Sequence, residues 1–124
     1  MKAIILKEGL KSWPNELDQF IRNSRLHSFS GGPKMVEVVE IEIDEAMIPS
    51  IAVKLSTYLL PKKYYCHFVD PNKLIVVFPM CLCLVSRENV AEAERCKTIG
   101  RMFEIPDRQM QFEKMFETDH PDAE

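Results

Sequence analysis

Residues 64–79 read Tyr-Tyr-Cys-His-Phe-Val-Asp-Pro-Asn-Lys-Leu-Ile-Val-Val-Phe-Pro, and they set the architecture of the middle of the chain. Two runs of β-branched, aromatic and aliphatic residues flank a short turn at 70–73, which is the pattern of a β-hairpin. That turn pairs Phe68 with Ile75 and Cys66 with Val77. Both faces of this hairpin are apolar, whereas a half-solvated hairpin alternates apolar and polar residues. We therefore expect both faces to be covered.

The patterns on either side of the hairpin predict an α+β domain. Apolar residues at strand or helix spacing predict strands at 3–6, 35–43 and 110–112 and helices at 14–21, 48–59 and 90–103. From residue 35 the order is strand, helix, strand, strand, helix, strand, which is the split β-α-β arrangement called ferredoxin-like. The N-terminal strand and the short helix after it are then additions to that core.

One domain accounts for a chain of 124 residues. We assign residues 1–116 to it, with residues 24–34 as a flexible internal loop because the apolar pattern stops there and Ser, Gly and Pro take over. Residues 117–124 are rich in Asp and Glu, which predicts a disordered acidic tail.

Charge and hydropathy exclude several classes of partner. The net charge is −3, and the sequence contains no dense cluster of Lys and Arg. Both features argue against nucleic-acid binding. No apolar run approaches the roughly 20 residues that span a bilayer. Only four apolar residues follow Lys2, fewer than the about 7–15 of a signal-peptide core. We therefore expect a cytoplasmic protein that does not bind membranes.

Two segments carry a family resemblance. The hairpin resembles a YYxHFxxxxKLIVVFP motif, and residues 100–112 match G-x-x-x-x-I-P-x-x-Q-x-x-F. Together with strand-like segments at 2–7 and 35–41, the chain resembles a family of small uncharacterised prokaryotic α/β proteins over most of residues 1–112. The resemblance implies a compact soluble domain and no assigned activity. Residues 80–83, Met-Cys-Leu-Cys, depart from the simple turn that follows the hairpin in such sequences.

The four cysteines are Cys66, Cys81, Cys83 and Cys96, and they lack the paired C-x-x-C spacing of zinc sites. Cys81 and Cys83 point to the same face if their segment is a strand, so a soft metal or a redox pair is one interpretation, and packing as small hydrophobes is the other. A dyad of Cys66 with His67 is disfavoured because adjacent strand residues point to opposite faces. The sequence predicts no catalytic, metal or cofactor-binding residue.

Five residues remain as candidates for a ligand site or an interface. Tyr65, His67 and Phe78 share one face of the hairpin, and Arg25 and Lys34 bracket the Gly-rich loop. That loop follows a helix and enters a strand, whereas phosphate loops run from strand to helix. For the aromatic residues, the alternative to a ligand site or an interface is packing in the core. For the loop, the alternative to an anion site is a simple connection between two elements.

The function that these patterns favour is protein association, or service as an accessory module, rather than catalysis. An apolar second sheet face buries itself in a partner, which predicts a homodimer through that face. One alternative is a regulatory domain that binds a small ligand at a dimer interface, by analogy with the fold alone. The other is a thiol-dependent enzyme or redox protein that uses Cys81 and Cys83.

Overall fold

A six-stranded antiparallel sheet forms the centre of the protein in the computed structural model, which describes residues 1–28 and 35–117. The strands are β1 (Lys2–Leu6), β2 (Ile21–Ser28), β3 (Met35–Glu42), β4 (Cys66–Val69), β5 (Lys73–Phe78) and β6 (Cys81–Ser86). Two α-helices, α1 (Ile48–Tyr58) and α2 (Val90–Met102), and several short 3₁₀ turns complete the described part. The spatial order is β2-β3-β1-β4-β5-β6. The predicted α+β class is confirmed.

The hairpin of β4 and β5 has the predicted register, with Cys66 opposite Val77 and Phe68 opposite Ile75. Its turn is held by Asp70, whose carboxylate accepts hydrogen bonds from the N–H groups of Asn72 (2.8 Å) and Lys73 (2.9 Å). This side chain mimics a backbone turn, as Asp commonly does. Because the turn is local, the sequence alone predicts its register.

The N-terminal strand occupies the middle of the sheet rather than an added position. β1 is antiparallel to both β3 and β4, so β3 and β4 are parallel to each other with β1 between them. This is a split β-α-β unit through α1, but its middle strand comes from the N-terminus. The ferredoxin-like prediction had β5 in that position and is wrong there, since β5 pairs with β4 and β6.

The predicted final strand at 110–112 is also wrong. The chain reverses at Pro79 and Met80 and returns as β6, which takes the remaining hydrogen-bonding edge of β5. Residues 107–109 and 112–114 form 3₁₀ turns instead of a strand. With no free edge beside β5, this C-terminal segment crosses the face of the sheet.

Both faces of the β4–β5 hairpin are covered within the chain. On one face, α1 packs on residues from four strands, namely Ala3, Ile5, Val39, Ile41, Cys66, Phe68 and Val77. On the other face, α2 and residues 105–115 pack on β5 and β6 in a second cluster that includes Leu74, Val76, Phe78, Val85, Cys96 and Phe112. The expectation that a second subunit covers this face is therefore wrong, because the chain's own C-terminal segment does so.

Local start and stop signals account for the remaining differences. The predicted N-terminal helix is a 3₁₀ helix over Asn15–Phe20, and residues 24–28 of the predicted loop belong to β2. Pro49 lies in the first turn of α1, where its missing N–H costs nothing. The rest of the predicted loop and the tail beyond residue 117 lie outside the described residues.

Candidate functional site

Three of the predicted site residues meet in the interior. Tyr65 lies with its ring centroid 6.3 Å from that of His67 and 6.2 Å from that of Phe78. Phe112 packs edge-on against Tyr65 at 5.5 Å, and the Tyr65 hydroxyl donates to the Gln109 carbonyl. His67 is only 1% exposed. This group is therefore the packing core beneath the C-terminal segment.

The other two candidates do not join that group within the described residues. Arg25 lies on β2, three strands away from the β4 strand of His67. With strands spaced about 4.8 Å apart, that is a separation of roughly 14 Å. Lys34 lies outside the described residues.

A cavity of about 270 Å³ opens beside the β4–β5 turn. Its charged lining is balanced, with Lys2 and Arg87 against Asp70 and Glu117. The Arg87 guanidinium already donates to the Pro71 carbonyl at 3.1 Å and pairs with Glu117 at 3.1 Å. A cavity whose arginine is engaged by the protein itself and whose lining carries two carboxylates offers little to an anionic ligand.

The outer edge of β6 is the most unusual surface of the described chain. Leu82 and Leu84 are 42% and 54% exposed on one side of this strand, and Met80 precedes them at 77%. β6 carries no charged residue and no proline. The opposite edge of the sheet, β2, contains Arg22 and a register irregularity near its start. Charges and bulges are the devices by which proteins protect sheet edges, so β2 is protected and β6 is not.

The outward backbone groups of this edge belong to alternate residues of β6. Alternate residues of an antiparallel strand direct both backbone groups to the same neighbour. The Arg87 N–H donates to the Asn72 carbonyl at 2.9 Å, so the odd-numbered residues of β6 face β5. The even-numbered residues Leu82, Leu84 and Ser86 therefore direct their backbone groups outward.

Both ends of that edge are closed by other contacts. The outward N–H of Ser86 donates to the Glu92 carboxylate at 2.7 Å, and this hydrogen bond holds the pKa of Glu92 below its ordinary value. At the other end, the Met80 N–H donates to the Ser56 carbonyl at 3.0 Å. Leu82 and Leu84 are left between them as the open segment.

The inner side of β6 carries two cysteines beneath α2. Cys81 and Cys83 point toward the cluster that contains Cys96 of α2. Burial raises the pKa of the Cys83 and Cys96 thiols. Cys66 lies on the opposite face of the sheet, where burial raises its pKa as well. No group of three His, Cys, Asp or Glu side chains in residues 1–28 and 35–117 is arranged to hold a metal ion.

The sequence prediction placed Cys81 and Cys83 on one face correctly but missed two features. The first is the open edge of β6, for which the signal was Pro79-Met80 between two apolar runs. The second is the burial of Cys96 in the cluster against which Cys81 and Cys83 pack, which depends on how α2 lies on the sheet and has no signal in the sequence.

Two properties of the whole described chain bear on its function, namely its lack of a membrane-spanning helix and its lack of similarity to known proteins. No helix in the described part of the chain is both long and apolar enough to cross a membrane. Comparison with protein families, with characterised proteins and with solved structures gives no match for this chain. The resemblance seen in the sequence therefore stays a prediction.

Proposed function

We propose that this protein is an association domain that pairs with a second copy of itself along the open edge of β6. The observation that carries the proposal is an uncharged edge strand with two exposed leucines, in a protein whose other edge is protected. Edge-to-edge pairing satisfies outward backbone groups and buries the side chains beside them. The result is one continuous sheet across a twofold axis.

The open groups support a single register. A twofold axis perpendicular to the sheet leaves the same face of both copies on the same side of the combined sheet. Two residues that lie directly opposite each other must therefore carry their side chains on the same face. If Leu82 pairs with Leu84 of the second copy, both outward residues of each chain exchange their hydrogen bonds. A shift by two residues in either direction brings in Met80 or Ser86, whose N–H groups are already engaged. Cys83 then lies on the axis.

Helix α2 leaves room for this arrangement. Its first turns lie near the edge, where Glu92 reaches Ser86. Its last turns lie above β5, since a Cβ added at Gly100 would come within 3.3 Å of Phe78. The helix therefore crosses the sheet obliquely. In the proposed dimer, the twofold axis places the first half of α2 from one chain beside the second half of α2 from the other chain.

The test uses two double variants that differ only in the sign of one charge. L82K/L84K places lysine opposite lysine in the proposed register, and L82K/L84E places lysine opposite glutamate. Like charges directly opposite each other destabilise a strand pair, and unlike charges stabilise it. In sedimentation velocity over the micromolar range, we expect the wild type and L82K/L84E to dimerise and L82K/L84K to remain monomeric.

Two controls separate association from folding. Leu82 and Leu84 are exposed, so all variants are expected to unfold within about 1 kcal/mol of the wild type. Leu26→Lys changes an exposed leucine on the protected edge and is expected to leave the dimer intact. The proposal is wrong if the wild type is monomeric at every concentration, or if L82K/L84K still forms the dimer.

A further inference from the structure

The start of α2 closes the edge of β6 at Ser86. Asn89 and Glu92 have the Asn-x-x-Glu pattern of a capping box, and the Asn89 side chain accepts a hydrogen bond from the Glu92 N–H at 3.0 Å. In a capping box the glutamate side chain returns to the N–H of the capping residue. Here the Asn89 N–H donates to the Ser86 carbonyl at 3.1 Å, and the Glu92 carboxylate accepts from the Ser86 N–H at 2.7 Å. Both outward backbone groups of Ser86 are therefore bonded within the chain.

We propose that Glu92 determines the register in which two β6 strands pair, because its carboxylate occupies the place that a neighbouring strand would take at Ser86. This inference rests on the proposed association and adds to it the residue that limits the length of the pairing.

The two ends of the edge are limited in different ways. At the first end, Met80 has a φ of 59° in the turn between β5 and β6, and its N–H donates to the Ser56 carbonyl. That limit belongs to the backbone of the turn. At the other end the Ser86 N–H is held by one side chain, and the Ser86 carbonyl has a second lone pair for a further hydrogen bond. Substitution of Glu92 is therefore expected to lengthen the edge.

A longer edge favours a different register. When Leu82 pairs with Leu84 of the second copy, two pairs of outward residues exchange hydrogen bonds across the axis. If the Ser86 N–H is released, a register with Leu84 on the axis also sets Ser86 opposite Leu82 on both sides, so three pairs form. Glu92 excludes this register in the wild type because its carboxylate already holds the Ser86 N–H.

Sedimentation velocity on the full chain tests whether Glu92 limits the pairing. We expect E92A to lower the dimer dissociation constant about tenfold, since each added hydrogen bond contributes only modestly to stability in water. E92Q keeps a side-chain oxygen that accepts from Ser86 and is expected to behave like the wild type. E94A removes an exposed carboxylate from the same helix and is the matched control for charge.

Proline at position 86 tests the role of the N–H itself. Proline is tolerated on an edge strand where the missing N–H would face outward. S86P has no N–H for Glu92 to hold, so E92A/S86P is expected to dimerise no more tightly than S86P. Urea unfolding of each variant verifies that the fold is kept.

Disulfide trapping with diamide reports the register. In the wild-type register Cys83 lies opposite its own copy at a position without hydrogen bonds, where Cα atoms are about 4.5 Å apart and a disulfide fits. In the longer register the same Cα atoms are diagonal neighbours, roughly 7–8 Å apart. C81S leaves Cys83 as the one cysteine of the tryptic peptide 74–87. We expect C81S to give a Cys83–Cys83 dimer and C81S/E92A to give much less of it.

The outcomes separate this inference from the association. If the wild type dimerises, the inference is overturned by an E92A variant that gains no affinity, by a gain that persists in E92A/S86P, or by a Cys83–Cys83 link that is absent from C81S or undiminished in C81S/E92A. A monomeric wild type with a dimeric E92A contradicts the proposed association but supports Glu92 as the residue that limits pairing. If both are monomers at every concentration, both proposals are wrong.

Discussion

The C-terminal segment should be essential to the fold, and Phe112→Ala tests this. Phe112 is fully buried and packs edge-on against Tyr65 and Phe78, at 5.5 and 6.5 Å between ring centroids. Removing a buried Phe side chain costs about 3–5 kcal/mol, including the cavity that it leaves. Since the segment around Phe112 lacks a strand ladder, part of this cavity closes. We therefore expect a loss near the lower limit, about 3 kcal/mol.

Equilibrium unfolding in urea measures this loss directly. A domain of this size has a total stability of about 5–15 kcal/mol, so a loss of about 3 kcal/mol shifts the midpoint clearly. Phe116→Ala is the matched control, because Phe116 lies in the same segment but is only partly buried. We expect the control to lose less than half as much.

A loss below about 1 kcal/mol at Phe112 would refute the reasoning, because it would approach the roughly 0.5 kcal/mol by which a surface substitution changes stability. The segment would then not cover the sheet, and the face holding Tyr65 and His67 would need another cover. A partner subunit on that face, as predicted from the sequence, would return as the explanation.

Two further perturbations probe α2 and its C-terminal end. Gly100→Ala gains about 1 kcal/mol of helix propensity, but the added methyl would lie 2.1 Å from the Met110 sulfur, and such overpacking costs about 1–3 kcal/mol. We therefore expect thermal unfolding to show a net loss of stability of about 1 kcal/mol. A stabilised variant would contradict this packing of Gly100 against Met110. The Arg101 guanidinium donates two hydrogen bonds to Asp107 and lowers the pKa of that carboxylate, so its stabilisation is present above the unfolded pKa of about 3.9 and is lost as the pH falls through the folded pKa. Asp107→Asn should therefore lower the urea midpoint at neutral pH and match the wild type in strong acid, and an equal difference at both pH values would be inconsistent with this ion pair.

Local sequence predicted the elements whose geometry is local. The turn at Asp70 sets the register of β4 and β5, and the apolar spacing of α1 and α2 gives both helices to within about two residues. The same register also put Tyr65, His67 and Phe78 on one face. It did not say whether that face is open, because coverage depends on a segment more than thirty residues away in the chain.

The errors in sheet topology concern choices between distant segments. A strand pattern at β1 does not say which strands lie beside it, and a turn at Pro79 competes with residues 110–112 for the edge of β5. Local propensity is similar for these alternatives, so the packing of the whole domain selects between them.

The sequence by itself determined the class of the fold, the central hairpin and the two helices, because short-range hydrogen bonds and apolar periodicity suffice for these. Only the tertiary structure decided that β1 is central, that the C-terminal segment covers the second face and that Cys83 packs against the cluster that contains Cys96. It also decided that β6 is an edge, since an edge is defined by which strand is absent beside it. The open backbone of Leu82 and Leu84 is therefore a property of the assembled sheet and of no segment alone.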